Sequence, residues 1–217
     1  IAHQLGWQEP IEETNVPRDV VKVRRAMASM GIDYMIVFPT RMLHLGMHPQ
    51  TRLEALLARA YNRWLVDRVL KEDKRIKSML YLPFSEPDAA LGIIEEFSGE
   101  PGVIGFMVTS VRNRPVHHNQ YIKIYAALEE HGMPLAFHGG YSWYEPSVMQ
   151  FDRFISMHSM AFVLWNLVHM INLIVNGIPE RFSNLKFVWI ESGLAWVPFL
   201  MQRLDNEYMM RTSEAPL

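Results

Sequence analysis

Two short apolar segments each end in a chemically capable side chain followed by glycine. Residues 134–140 read Pro-Leu-Ala-Phe-His-Gly-Gly, and residues 185–193 read Leu-Lys-Phe-Val-Trp-Ile-Glu-Ser-Gly. Parallel α/β barrels present their catalytic groups at one rim, where buried strands reach polar residues at their carboxyl ends. His138 and Glu191 are therefore candidate catalytic residues, and together they indicate an enzyme.

Side-chain alternation gives both candidates an expected direction. Because successive strand residues point to opposite faces, His138 shares a face with Ala136, and small and polar residues of this kind suit the interior of a barrel. The same rule groups Glu191 with Phe187 and Trp189, and we expect that group to face inward as well. Both side chains should then converge on one rim.

Each candidate also has a structural alternative. His138 could be a hydrogen-bonded polar residue at a strand end, and Glu191 could be a helix N-cap or a surface carboxylate. A charged group at the end of an apolar run is costly unless it is paired or bound to a metal. This cost favours a functional interpretation of both residues.

Further candidates lie near these strand ends. His158, at the start of a long apolar helix, is either a second acid/base group or a hydrogen-bonded core residue. Arg41 could hold a substrate carboxylate through its bidentate guanidinium, or form a surface ion pair. Trp143 and Trp196 follow the two strand ends and would suit a planar or unsaturated substrate. His169, deeper in the same apolar helix as His158, is interpreted as structural.

Helices and strands alternate along the whole chain, which predicts a parallel sheet. A Thr-x-x-Glu capping box at Thr51 and Glu54 is expected to open the second helix. The sequence contains no glycine-rich phosphate loop after a strand, which disfavours nucleotide-binding folds. The predicted helices cover 17–30, 51–69, 85–97, 118–131, 154–176 and 196–208, and the predicted strands 32–39, 76–83, 103–108, 134–138 and 185–190.

This order predicts an α/β fold of the (β/α)8 TIM-barrel type. Five strands are too few to close a barrel, which takes eight strands and about 250 residues. We therefore expect residues 1–217 to form a single domain, the central part of a barrel that lacks its first and last strands. An unclosed barrel exposes sheet edges, so we also expect self-association into a homo-oligomer.

Composition narrows the possible partners. A net charge of −2 gives no electrostatic reason to expect nucleic acid or an anionic membrane. The most apolar stretch, residues 160–175, is shorter than the roughly 20 residues a membrane span needs, so a buried helix is expected. The absence of cysteine excludes disulfides and thiolate ligands. Any metal would be held by histidine or carboxylate side chains, and a cytoplasmic location is expected.

His138 and Glu191 lie in a set of segments that together resemble a known family. The segments are residues 36–40, 60–64, 80–83, 134–140 and 178–205, and they occur in the same order as in the family. The block 178–205 is the most specific of them. In them the chain resembles the amidohydrolase-related family, which includes aminocarboxymuconate-semialdehyde decarboxylase and other metal-dependent hydrolases and decarboxylases.

The resemblance implies a TIM barrel with one divalent metal, commonly zinc. His138 matches the family's fifth-strand metal ligand. The first-strand ligand pair has no counterpart, His3 standing alone, and the eighth-strand aspartate is expected beyond Leu217. Glu191 stands where the decarboxylases of the family usually carry histidine, which departs from their pattern.

The sequence thus predicts a metal-dependent hydrolase acting on a small carboxylated cyclic or unsaturated substrate through a metal-activated water. Glu191 and His158 would be the catalytic residues, and His138 the metal ligand. A non-oxidative decarboxylase or a hydratase on the same scaffold is the first alternative. The second alternative, from another class, is a metal-free binding or scaffold subunit.

Overall fold

A computed structural model describes residues 10–11, 15–111, 114–141 and 146–214. The strands are β1 (Met35–Val37), β2 (Ile76–Tyr81), β3 (Val103–Val108), β4 (Leu135–His138) and β5 (Phe187–Ile190). The helices are α1 (Arg18–Met30), α2 (Thr51–Leu65), α3 (Pro87–Phe97), α4 (Ile122–Glu130), α5 (Phe154–Val175), α6 (Ile178–Arg181) and α7 (Trp196–Met210).

The five strands form one sheet in which spatial order follows chain order and every pairing is parallel. Parallel neighbours need a crossover connection, and at least one helix joins each successive pair of strands. The predicted α/β class and barrel-type order are therefore confirmed, with five strands that form a curled, incomplete barrel. Self-association of this chain stays a prediction.

The first strand is shorter than predicted, because the side chain of Asn62 takes its place as the hydrogen-bond partner of the end of β2. β1 contains three residues rather than the eight of 32–39. At the end of β2, the Tyr81 N–H donates to Asn62 Oδ1 at 3.1 Å, and Asn62 Nδ2 donates to the Tyr81 carbonyl at 2.8 Å. A buried amide from α2 thereby satisfies the strand edge that a longer β1 would otherwise pair.

The predicted capping box is wrong. α2 begins at Thr51 itself and has no side-chain cap. The Thr51 hydroxyl donates instead to Glu86. Glu54 is buried and accepts a 2.8 Å hydrogen bond from the Tyr81 hydroxyl. Burial raises the pKa of Glu54, so this carboxyl group serves a contact with the sheet and not the start of the helix.

The pairing of β4 with β5 shows which side chains share a face of the sheet. His138 lies opposite Ile190, and Phe137 lies opposite Trp189. The Phe137 and Trp189 rings stack at 4.9 Å, and Phe137 also contacts His169 of α5 at 5.4 Å. Trp189 therefore faces the helices, away from the face that carries His138.

The inward direction expected for the aromatic residues of β5 is consequently wrong. Phe187 lies opposite Leu135 in the register and contacts Tyr125 of α4. Both Phe187 and Trp189 thus belong to the layer between sheet and helices. Strand alternation would send the next residue of that series, Glu191, to the same layer.

α5 is long and apolar enough to cross a membrane by length and composition, a test that core helices also pass. In this fold it packs beside β4. Apart from one adjacent pair, its buried residues recur every three or four positions, the spacing of one helix face: Met157, Ala161, Phe162, Asn166, His169 and Leu173.

His169 is a neutral core residue. Its ring packs against Phe137 and Trp165, and its Nε2 accepts a long hydrogen bond of 3.5 Å from the Val111 N–H. Burial lowers the pKa of His169 from its ordinary 6.5 to about 3, because a charged imidazolium would lose its hydration there. The geometry agrees with the structural interpretation of this residue.

This pKa shift predicts a loss of stability in acid. Between pH 6.5 and about 3 the unfolded chain binds a proton at His169 that the folded chain does not. As the pH is lowered through this window, the free energy of unfolding should therefore decrease. His169 should contribute about 1.4 kcal/mol of this loss per pH unit. Urea denaturation at pH 7 and pH 5 measures the fall. His169→Gln should reduce it, and equal losses in both proteins would contradict the assignment.

Candidate active site

His138 ends β4 with its ring held in one orientation. The side chain is buried, with 3% of its surface exposed. Its Nδ1 lies 2.8 Å from the Gly139 carbonyl oxygen, and because a carbonyl can only accept, Nδ1 carries the proton. In the neutral imidazole, Nε2 then carries the free electron pair. Metal-binding histidines are commonly fixed in this way, by donation of the other ring N–H to a backbone carbonyl.

Glu191 reaches His138 because the backbone changes direction directly after β5. Its φ of 56° lies in the left-handed region and interrupts the strand alternation. The carboxylate turns away from the helix side, and Oε1 lies 3.6 Å from Nε2 of His138. Glu191 is 61% exposed. The expected convergence of the two residues is observed, although alternation is not its cause.

The two side chains fit a shared divalent ion. Zinc lies about 2.0–2.2 Å from its nitrogen and oxygen ligands, so two ligands in tetrahedral geometry are about 3.4 Å apart. The observed distance between His138 Nε2 and Glu191 Oε1 is close to this separation. Within the described ranges, no group of three histidine or carboxylate side chains could hold a metal. His138 and Glu191 alone would therefore fall short of the three or more protein ligands that such a site takes.

Aromatic rings surround His138. Phe38, which follows β1, lies 6.3 Å from its ring, and Phe162 of α5 lies 5.9 Å away. His158 packs against Phe162 at 5.0 Å and against Tyr141 at 5.3 Å. His158 is therefore separated from His138 by a single aromatic ring.

Arg41 lies on the same rim, in a short 3-10 helix, Thr40–Met42, that follows β1. Its side chain is exposed, and no carboxylate in the described part of the chain forms an ion pair with it. The nearby ring of His44 packs edge-on against Tyr141 at 4.7 Å, which joins this loop to the aromatic cluster.

The structure describes one of the two predicted tryptophans. Trp143 lies outside the described residues. Trp196 begins α7, and its indole N–H donates to the carbonyls of Ser192 at 2.6 Å and Gly193 at 3.1 Å. Its ring also packs against Trp189. Trp196 thus contacts the turn that carries Glu191, and its contact with a substrate stays a prediction.

Sequence reasoning identified His158 but missed the two phenylalanines that share its face of α5. Phe154, His158 and Phe162 are spaced four residues apart, so they lie on one face of the helix. All three rings contact one another or Tyr141. This spacing was the available signal, and it becomes meaningful only when α5 is known to cross the end of β4.

Gly139 allows α5 to approach the end of β4. A Cβ atom at this position would lie 2.8 Å from the Phe162 carbonyl oxygen and 2.9 Å from its Cα. Both are backbone atoms, which cannot rotate away. A side chain at residue 139 would therefore push the helix, with His158 and Phe162, away from His138.

We expect Gly139→Ala to lower the free energy of unfolding by about 1–3 kcal/mol, the usual cost of overpacking. Gly99→Ala is the matched control, because a Cβ there meets no atom within 4 Å, and its effect should stay within about 0.5 kcal/mol. Urea denaturation compares the two variants. Equal effects would show that the helix does not approach the strand this closely.

Comparison with known proteins adds a family and a fold. The family model described as Amidohydrolase matches residues 21–214. No curated protein matches the chain by sequence. Among solved structures, an amidohydrolase from Mycobacterium avium subsp. paratuberculosis is 21% identical with a TM-score of 0.73, covering 91% of this chain and 54% of that one.

Two decarboxylase structures are similar to the same degree. The 2,6-dihydroxybenzoate decarboxylase from Rhizobium is 20% identical with a TM-score of 0.69, covering 90% of this chain and 62% of that one. A 5-carboxyvanillate decarboxylase from Novosphingobium aromaticivorans, with bound manganese, is 22% identical with a TM-score of 0.73 over 89% and 56%. At these identities the likeness shows the fold, and this chain spans between 54% and 62% of the three proteins.

Proposed function

Because the chain belongs to the amidohydrolase family, we propose that it acts as a metal-dependent hydrolase on a small carboxylated, cyclic or unsaturated substrate. One observation carries the proposal. Glu191 Oε1 lies 3.6 Å from Nε2 of His138, so an exposed carboxylate stands beside a buried imidazole nitrogen with a free electron pair. This pair offers a general base next to a metal ligand.

His138 would hold the metal through Nε2, with Glu191 beside the ion. We propose zinc, which suits imidazole and carboxylate ligands; the manganese in the similar 5-carboxyvanillate decarboxylase supports a divalent ion of either kind. When bound, such an ion would lower the pKa of a water molecule and polarise the reacting carbonyl group.

The role of Glu191 in hydrolysis follows from its position. Its carboxylate would take a proton from a water molecule whose oxygen forms a bond to the substrate's carbonyl carbon. The carbon–oxygen or carbon–nitrogen bond of the substrate then breaks, and the leaving group receives the proton. His158, which lies one ring away from His138, is proposed as the second acid/base group for that transfer.

The surroundings of the pair favour a carboxylated ring. Phe38, Phe162 and Tyr141 offer flat apolar surfaces near His138 and His158, and Arg41 is an exposed guanidinium on the same rim. Arg41 would bind the substrate carboxylate through two parallel hydrogen bonds. We propose Trp143 and Trp196 as further contacts for the ring.

Non-oxidative decarboxylation is the second candidate, supported by the carboxylated benzene rings in the names of two similar structures. In that reaction the carbon–carbon bond to the carboxylate breaks and carbon dioxide leaves. The ring carbon keeps the electron pair and receives a proton, which Glu191 or His158 could deliver. The same aromatic rings would serve either reaction.

The test uses the natural full-length gene product, loaded with zinc and offered a panel of carboxylated rings and lactones. We expect a hydrolysis product without carbon dioxide. Glu191→Gln should lower kcat by about 10²- to 10⁴-fold, the usual contribution of general base catalysis. Glu130→Gln is the matched control, since this exposed carboxylate ends α4, on the approach to the opposite end of β4.

Two other outcomes would replace the proposal. Carbon dioxide release that depends on Glu191 would identify a decarboxylase. A protein without turnover, whose ligand affinity is unchanged by His138→Ala and Glu191→Gln, would identify a metal-free binding or scaffold subunit.

A further inference from the structure

The backbone conformation of Glu191 requires an explanation beyond its own side chain. Glu191 is the one non-glycine residue with positive φ in the described ranges. Residues with a Cβ atom rarely adopt this region, and they remain there when surrounding contacts fix the chain. The carboxylate reaches His138 only because of this turn. Contacts that hold the turn therefore control the geometry of the candidate site.

A buried amide fixes the turn on its N-terminal side. Asn166, in the middle of α5, is fully buried, and its Nδ2 donates to the Ile190 carbonyl at 3.0 Å. Ile190 directly precedes Glu191, so this hydrogen bond holds the peptide group that leads into the left-handed residue. The contact joins two elements that are 24 residues apart in the chain.

A second contact fixes the turn on its C-terminal side. The Trp196 indole N–H donates to the carbonyls of Ser192 and Gly193. Gly193 also has a positive φ of 66°. The carbonyl groups before and after Glu191 are thus both held by side chains, one from α5 and the other from α7.

The chemistry of Asn166 points to a specific use of its donor. A buried amide in an apolar helix is costly to desolvate. In the described part of the chain its Oδ1 has no hydrogen-bond partner, so that half of the group does not recover the cost. Leucine, which is similar in size, would avoid the cost but could not donate to Ile190. What asparagine adds at this position is the hydrogen bond to the turn.

We propose that Asn166 is a positioning residue for Glu191: its amide holds the Ile190 carbonyl and thereby keeps the Glu191 carboxylate in its left-handed turn beside His138. The consequence for catalysis rests on the proposed function, whereas the consequence for geometry does not. Asn166 acts through Glu191 and does not touch the reacting atoms.

The test compares Asn166→Leu with Asn172→Leu in the full-length gene product. Asn172 lies on the same helix and is half-buried. It is a matched control because its side chain forms no hydrogen bond to the sheet within the described ranges. In a crystal structure of Asn166→Leu we expect Glu191 to leave positive φ and its carboxylate to move away from His138. The control should keep both features.

Turnover supplies the second measurement. Asn166→Leu should lower kcat by about a hundredfold, with KM nearly unchanged, since displacement of a catalytic group by about 1 Å costs this much. In a Glu191→Gln background the same substitution should have no further effect. An equal loss in both backgrounds would overturn the proposal and leave a merely structural role.

The crystal structure of Asn166→Leu tests the positioning role independently of activity. If Glu191 keeps its φ and its distance to His138 in Asn166→Leu, the proposal is wrong, whether or not the protein is a hydrolase. If no reaction is found but the turn is lost, the proposed function fails and the positioning role stands. Should Asn166→Leu not fold, the structure of Asn166→Ser replaces it under the same criteria.

Discussion

The register between β4 and β5 determines where the candidate site can form. His138 pairs with Ile190 at the last position of the ladder, so Glu191 is the first residue free of the sheet. A residue inside the ladder would follow the alternation and face the helices. Because Glu191 lies one residue beyond, its backbone can turn, and two strands of a parallel sheet deliver an imidazole and a carboxylate to one point.

The two members of this pair stand in different environments, and the difference suits their proposed roles. His138 is buried and fixed by the Gly139 carbonyl, so its free nitrogen is presented in one direction. Glu191 is largely exposed, so its carboxylate is accessible from solvent. A fixed imidazole nitrogen beside an accessible carboxylate suits the proposed metal-assisted hydrolysis, and the aromatic rings of Phe38 and α5 give that arrangement an apolar wall.

The sequence was sufficient for the order of elements and for the convergence of His138 and Glu191, because strand ends followed by glycine have a local signal. It was insufficient wherever a distant residue decides the conformation. The positive φ of Glu191 cannot be predicted from the periodicity of hydrophobic residues, and Asn166, which holds the preceding carbonyl, lies on another element. Likewise, Asn62 shortens β1, and Tyr81 recruits the glutamate expected to cap a helix. Each of these errors reflects a tertiary contact that overrides a local rule.

The most direct test of the account is the metal affinity of the natural full-length gene product. After removal of metal with a chelator, calorimetric titration with zinc should show one equivalent bound per chain, weakened by about a hundredfold or more in His138→Ala. His131→Ala is the control, because His131 pairs with Glu95 on the surface, away from the pair. Absence of zinc binding by the wild-type protein, or equal affinity in both variants, would contradict the claim that His138 is a metal ligand.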